Sequence, residues 1–314
     1  MKLSDIIDTY ITFKRSLGMR FHTQGRVLRR FCRAMGDIDI DEVRPEAVHA
    51  FLNGHGPITA GWQVKYCALG GFYRYALSRG FVAASALPTV RPELPPYGRP
   101  HIYSVGEIGR LLAATEVVRS PKSPLQAQTY RTLLLLLYST GARIGEALSL
   151  TLADVDLANC VLTIRDTKFF KSRWVPIGPR LTVELIAYAQ RRRYLPQPHG
   201  EQSAFFASVL GSALRYRDVN AHFQKIRQKA GIQRDRAAHF APRIHDLRHT
   251  AAVHRVCAWY RAGADVQKLL PRLATYLGHR DIGSIQRYLT MTPELLQEAS
   301  KRFEAYVQPG IYHE

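Results

Sequence analysis

Apolar residues recur at helical spacing through the first eighty positions. Between 4 and 17, Ile7, Tyr10, Ile11 and Leu17 share a face, with Ser4 as an N-cap and Gly18 as a stop. A second helix is predicted at about 23–35, opened by Thr23 and closed by Gly36. Val27, Leu28, Phe31 and Met35 form its apolar side, while Arg26, Arg29, Arg30 and Arg33 stripe the other at i, i+3, i+4 and i+7. Pro45 suits the first position of a third helix bearing Val48, Phe51 and Leu52. A fourth runs from about 59 to 78 on Trp62, Tyr66, Leu69, Phe72, Tyr73 and Leu77, with Lys65 and Arg74 pointing elsewhere. Together these make a four-helix domain over 1–87.

Five prolines within 88–100 forbid helix and give a semi-stiff linker. A second domain, 101–314, opens on the capping-box pattern Ser104 to Glu107. A largely buried helix at 125–139 carries the leucine run and stops at Gly141; a short one follows with Ile144, Ala147 and Leu148 inward. The pattern then changes to β-type runs at 160–165 and 173–177, joined by a turn at 168–171. Stretches 180–194 and 218–230 are helical again, as is the chain from Asp246 onward with breaks at Gly263, Gly278 and Pro293. The fold class expected is mainly α with a small β-sheet, a helical bundle preceding a mixed α/β domain.

Charge changes this picture from architecture to partner. Lys and Arg number 44 against 25 acids, a formal +19 over 314 residues. Such an excess favours a polyanion, nucleic acid or an anionic membrane surface. Both halves share it: 14 basic against 8 acidic residues through position 100, 30 against 17 thereafter, so a ligand held by both domains is expected. The four guanidinia of the second helix repel one another unless phosphates face them; a solvated face is the alternative. The longest apolar run, 133–138, is far below the ~18 residues that span a bilayer. The N-terminus, with Asp5 and Asp8, lacks a signal core, so no membrane association and a cytoplasmic, nucleoid-associated location are expected. Cys32, Cys67, Cys160 and Cys257 lie far apart, which suits reduced, buried thiols.

Phosphodiester chemistry needs countercharge for the nonbridging oxygens, a nucleophile and a proton donor. The acids are scattered, so a carboxylate-held metal is not expected. Arg143 in GARIGEAL (141–148) and Arg248 in HDLRH (245–249) can each grip phosphate in bidentate fashion. His245 and Arg248, spaced i, i+3, share a face at a helix start; His279, after Gly278, falls at a loop edge. His245 and His249 also match H-x-x-x-H metal spacing, but Asp246 replaces the usual Glu and Arg248 sets a cation beside any metal.

In this order and spacing the motifs resemble those of the tyrosine recombinases of the phage-integrase type, closest to Xer-like and mobile-element members. GARIGEAL resembles the first arginine box, with Glu146 as its acidic buttress; HDLRHT resembles the H-x-x-R box; LGHRDIGSIQRY (277–288) resembles the final box, with His279 and Tyr288 nine apart. Lys168, between the two strands, matches the position of the family's lysine, with Lys171 as a rival. The match covers about 104–290, and the N-terminal helices correspond to a SAM-like core-binding domain.

The resemblance implies that Tyr288 attacks the scissile phosphorus to give a 3′-phosphotyrosyl link and a free 5′ hydroxyl. Arg143 and Arg248 would hold the phosphate, His245 would assist proton transfer, His279 would donate to the phosphate and Lys168 would protonate the leaving oxygen. It implies no cofactor and no metal. The partners implied are double-stranded DNA with specific recombination sites and three further protomers, identical or sister recombinases. Arg26, Arg29, Arg30, Arg33, Lys65, Arg74, Lys171 and Arg173 are the expected DNA contacts. Leu295, Leu296, Ala299 and Phe303 give the tail at 292–307 an apolar face for a neighbouring protomer or for its own domain. A catalytically silent DNA-binding regulator and a type IB topoisomerase are the alternatives.

Overall fold

The structure is a computed structural model that describes residues 1–95, 98, 100–165, 172–235, 240–278, 297–298 and 300–301. The described residues divide into two compact units, one of residues 1–95 and one from Gly98 onward.

The first unit holds α1 (Leu3–Ser16), α2 (His22–Met35), α3 (Pro45–Asn53) and α4 (Ala60–Ser78). Ile6, Ile7, Tyr10, Leu28, Phe31, Val48, Leu52, Trp62, Leu69, Phe72 and Tyr73 form one core. All four predicted helices are present, but two of their starts differ from expectation. α1 begins before Ser4, and α2 begins before Thr23, after Phe21 in the left-handed region at φ 46°. Both hydroxyl residues therefore lie inside a first turn. Thr59 does cap α4, accepting from the Gly61 amide. Leu77 is 38% exposed and Ala76 takes the inward place, because the stripe has drifted by one position over five turns.

The second unit contains α5 (Val105–Ala113), α6 (Gln126–Thr140), α7 (Ile144–Leu148), α8 (Pro179–Arg192), α9 (Tyr216–Lys229), α10 (Asp246–Arg261) and α11 (Val266–Leu277). The Ser104–Glu107 capping box opens α5. α6 runs through the core, with Leu133, Leu134, Leu136 and Leu137 all buried. β1 (Val155–Asp156), β2 (Val161–Ile164) and β3 (Arg173–Pro176) make an antiparallel sheet in that order. β1 is too short for a sequence signal. In the register Ile164 faces Arg173 and Leu162 faces Val175. Leu162, Ile164 and Val175 turn inward, while Trp174 is 77% exposed on the outer face.

A second cluster joins Val253, Val256 and Cys257 of α10 to Leu273 and Leu277 of α11. Pro271 lies within α11 without ending it, and Thr275 donates its hydroxyl to the Pro271 carbonyl. Of the four thiols only Cys257 is buried; Cys67 is exposed and the other two are half-buried, at odds with four buried thiols. Among the described residues no helix is long and apolar enough to cross a membrane.

Candidate active site

The site residues gather where three helix ends meet. α6 terminates at Gly141, in the left-handed region at φ 62°, and Arg143 follows two residues later as the N-cap of α7. Glu146 folds back on it. The Arg143 amide donates to Glu146 Oε2 at 3.0 Å and its Nη1 to Oε1 at 2.8 Å. The R-x-x-E spacing thus works as an N-terminal box in which the acid caps the helix and aims the arginine.

His245 stands at the N-cap position of α10, and Arg248 lies in that helix's first turn at 4% exposure. Asp246 fixes this start, accepting from the Arg243 amide at 2.9 Å and from Arg243 Nη2 at 3.0 Å. Thr250 donates to the Asp246 carbonyl and accepts from the Tyr103 amide, while the Tyr103 hydroxyl donates to the Arg243 carbonyl. Those anchors had no legible motif. The rings of His245 and His249 pack edge to face at 5.0 Å.

The third end is the C-terminus of α11, where Gly278 sits in the left-handed region at φ 68°. The last carbonyls of a helix lack intrahelical donors and carry the negative end of its dipole. Here three consecutive carbonyls each meet a different guanidinium. Arg173 Nε donates to Tyr276 O at 3.2 Å, Arg248 Nη2 to Leu277 O at 2.7 Å and Arg143 Nη2 to Gly278 O at 3.1 Å. Arg248 Nη1 also donates to Gly141 O at 2.6 Å, closing the ring of helix ends. A Cβ on Gly141 would come within 2.5 Å of Leu277 Cδ2, and one on Gly278 within 2.8 Å of Arg173 Nη1. Both positions need glycine for conformation and for closeness.

Electrostatics follow from this crowding. Burial raises the Glu146 pKa, but the hydrogen bonds from Arg173 and Arg143 and the Arg173 charge outweigh it and bring it to about 2. His245 is exposed, yet desolvation, then the Arg248 charge, pushes its pKa below the ordinary histidine value; Arg243 and Arg143 add to this and Asp246 opposes it. The imidazole is therefore held neutral beside the clamp.

Arg143, Glu146, His245 and Arg248 thus come together in one unit, next to the residue that precedes His279 in sequence. Lys168, Lys171, His279 and Tyr288 lie outside the described residues. Arg173, one of the expected DNA contacts, grips Glu146, with Nη2 at 2.8 Å and Nη1 at 3.3 Å, where the strand pleat turns it inward beside Val175.

In the first unit Arg26, Arg29, Arg30 and Arg33 are exposed along α2, and Arg29 pairs with Asp8 at 3.2 Å. Arg74 is exposed on α4. Lys65 differs: its ammonium donates to the carbonyls of Phe51 at 2.7 Å and Leu52 at 3.1 Å, capping α3, and lies over the Phe51 ring. Toward the tail, Glu298 accepts from Arg261 at the end of α10 at 3.1 Å, a contact within the same chain.

The profile of the Phage integrase family matches residues 105–294. The chain belongs to this family of tyrosine recombinases. The recombinase is 34% identical over 304 residues to the putative integrase/recombinase y4rB of Sinorhizobium fredii, covering 95% of this chain and 96% of the relative. Among solved structures it resembles the integrase of the Tn1549 transposon, in complex with transposon right-end DNA, with a TM-score of 0.68 at 15% identity over 97% of this chain and 99% of the other. A lambda integrase tetramer bound to a Holliday junction matches with a TM-score of 0.66 at 18% identity, over 92% and 77% of the two chains. The recombinase is an enzyme that breaks and rejoins DNA. Its bundle of helices followed by an α/β unit with a three-stranded sheet is the architecture of these proteins.

Proposed function

We propose that this recombinase serves a mobile element, cutting specific sites in double-stranded DNA as a tetramer, with Tyr288 as its nucleophile. The observation that carries the chemistry is the meeting of Arg143 and Arg248 at the end of α11, whose C-cap Gly278 lies ten residues before Tyr288. Two guanidinia there suit a scissile phosphate, whose charge grows as the phenolic oxygen adds to phosphorus. The clamp cations also favour the phenolate, since a free tyrosine ionises only near pH 10. The O3′–phosphorus bond persists, the phosphorus–O5′ bond breaks, and Lys168 supplies the proton that O5′ takes up. His245, held neutral, accepts or relays the tyrosyl proton, and His279 donates to a nonbridging oxygen. The ester keeps the bond energy until a 5′ hydroxyl of a second strand attacks it, so no cofactor enters.

The mobile-element role is supported by likeness to a putative integrase/recombinase and to a transposon integrase. Assembly as a tetramer is supported by the lambda integrase tetramer on a four-way junction. The test is covalent capture. Chain expressed in a bacterial cell is purified under denaturing conditions and the attached DNA ends are sequenced. Recovery of one recurrent end sequence from wild type, and of none from Tyr288→Phe, is the expected result. Adduct from the Phe variant overturns the choice of nucleophile; a wild-type chain that shifts DNA and never becomes attached to it is a silent regulator.

A further inference from the structure

The guanidinium of Arg173 bridges two parts of the site's framework. Its Nη2 and Nη1 take both oxygens of Glu146, its Nε takes Tyr276 O, and its plane lies against Gly278. Glu146 in turn holds Arg143 by amide and by side chain. Two lines of contact therefore leave Arg173: one through Glu146 to the phosphate clamp, the other into the last turn of α11, from which the chain continues to His279. Arg173 is also the first residue of β3, so it ties the strand that follows the Lys168 segment to both.

We propose that Arg173 is a positioning residue for strand cleavage, fixing Arg143 through Glu146 and fixing the end of α11 that leads to His279. The proposal rests on the phosphotyrosyl reading of the site. Two features support it over a contact with the DNA backbone. Its fork is engaged by a carboxylate in bidentate geometry, which fixes the plane as well as the charge. The pleat also alternates Arg173 inward, Trp174 outward and Val175 inward, so the direction is set by the strand itself. A lysine ammonium is a point charge without the planar fork and cannot span two carboxylate oxygens and a carbonyl in this way.

The experiment uses the full chain and a nicked duplex built on the end sequence that wild type captures in cells. Arg173→Lys and Arg173→Met are compared with wild type for thermal unfolding, for DNA affinity across a salt series, and for the rate of covalent adduct formation at saturating DNA. Both variants are expected to keep affinity within about threefold and the same salt slope, while adduct formation slows tenfold or more. Should the Met variant not fold, the Lys variant decides alone, since it keeps the charge and the strand. Adduct formation at the wild-type rate on saturating DNA overturns the proposal, whatever happens to affinity. So does a slow rate accompanied by a salt slope lower by about one, the mark of a lost phosphate contact. A wild type that forms no adduct sinks the phosphotyrosyl reading instead, and the two failures are told apart by that control.

Discussion

Arg143 and Glu146 were legible because their interaction is local: three residues apart at a helix start, arginine and acid must meet. Arg173 lies 27 residues from the same carboxylate, and no local pattern announces that pairing. The available signal was a charge at the inward phase of a strand, between inward Ile164 across the ladder and inward Val175 along it. Glu146 also sets a stability expectation. Its folded pKa, about 2, lies below the ordinary carboxylate value, so its contribution is full above about pH 4.5 and lost as pH falls through about 2. Glu146→Gln leaves two guanidinia facing a neutral amide and should cost ~2 kcal/mol at pH 7. Chemical denaturation at pH 7 and at pH 3 should show that gap narrowing in acid.

His245 works in the same direction on another scale. Its folded pKa is depressed by burial and then by Arg248, so the fold favours the neutral ring. The unfolded chain binds the proton more readily, and stability falls as pH drops below the unfolded value of about 6.5. His245→Gln should therefore lose less stability than wild type between pH 7 and pH 5, read by denaturant midpoints at each pH. An equal loss in both chains would show that the ring is not held neutral.

Among the elements, helix interiors were more legible than helix ends. The apolar stripes of α1, α2 and α4 follow from spacing, whereas α1 and α2 start after Lys2 and Phe21 with no side-chain cap, and backbone geometry there sets the start. Charged residues that serve as internal anchors were not legible at all. Arg192, at the end of α8, is wholly buried, and its guanidinium donates to the carbonyls of Ala204, Leu195 and Pro196. From sequence it is one of three consecutive arginines, 191–193, indistinguishable from its exposed neighbours. Arg192→Met leaves those carbonyls without that donor inside the protein and should lower stability by about 2–4 kcal/mol, visible as a fall in Tm.

Gly141 joins element to site. Alanine there meets Leu277 of α11 at a φ of 62°, and the carbonyl it carries is the one that Arg248 grips. A loss of about 1–2 kcal/mol is expected from the backbone alone. If the helix ends hold the clamp, adduct formation should fall further than the loss of folded protein accounts for.

Across the whole molecule, charge was the most legible property and the least specific. An excess of +19 announces a polyanion but does not say which cations meet it, because guanidinia and ammonium groups also cap helices and buttress carboxylates. The structure separates exposed cations from engaged ones. Arg26, Arg30 and Arg33 stand exposed on α2, and Arg29 shares itself with an exposed Asp8, a pairing worth little in water. Lys65 is engaged on the carbonyls that end α3, and burial, then the nearby Arg30 charge, lowers its pKa.

The contrast can be measured. Each phosphate contact contributes about 0.9 to the slope of log affinity against log salt on duplex DNA. Arg30→Ala should lower that slope by nearly one and weaken binding at all sequences alike, with Tm little changed. Lys65→Ala should instead lower Tm, since α3 loses its C-terminal donor, and leave the slope within a few tenths of wild type. The reverse outcome, a slope that follows Lys65 and ignores Arg30, would move the DNA face of this unit off α2 and on to the junction of α3 and α4.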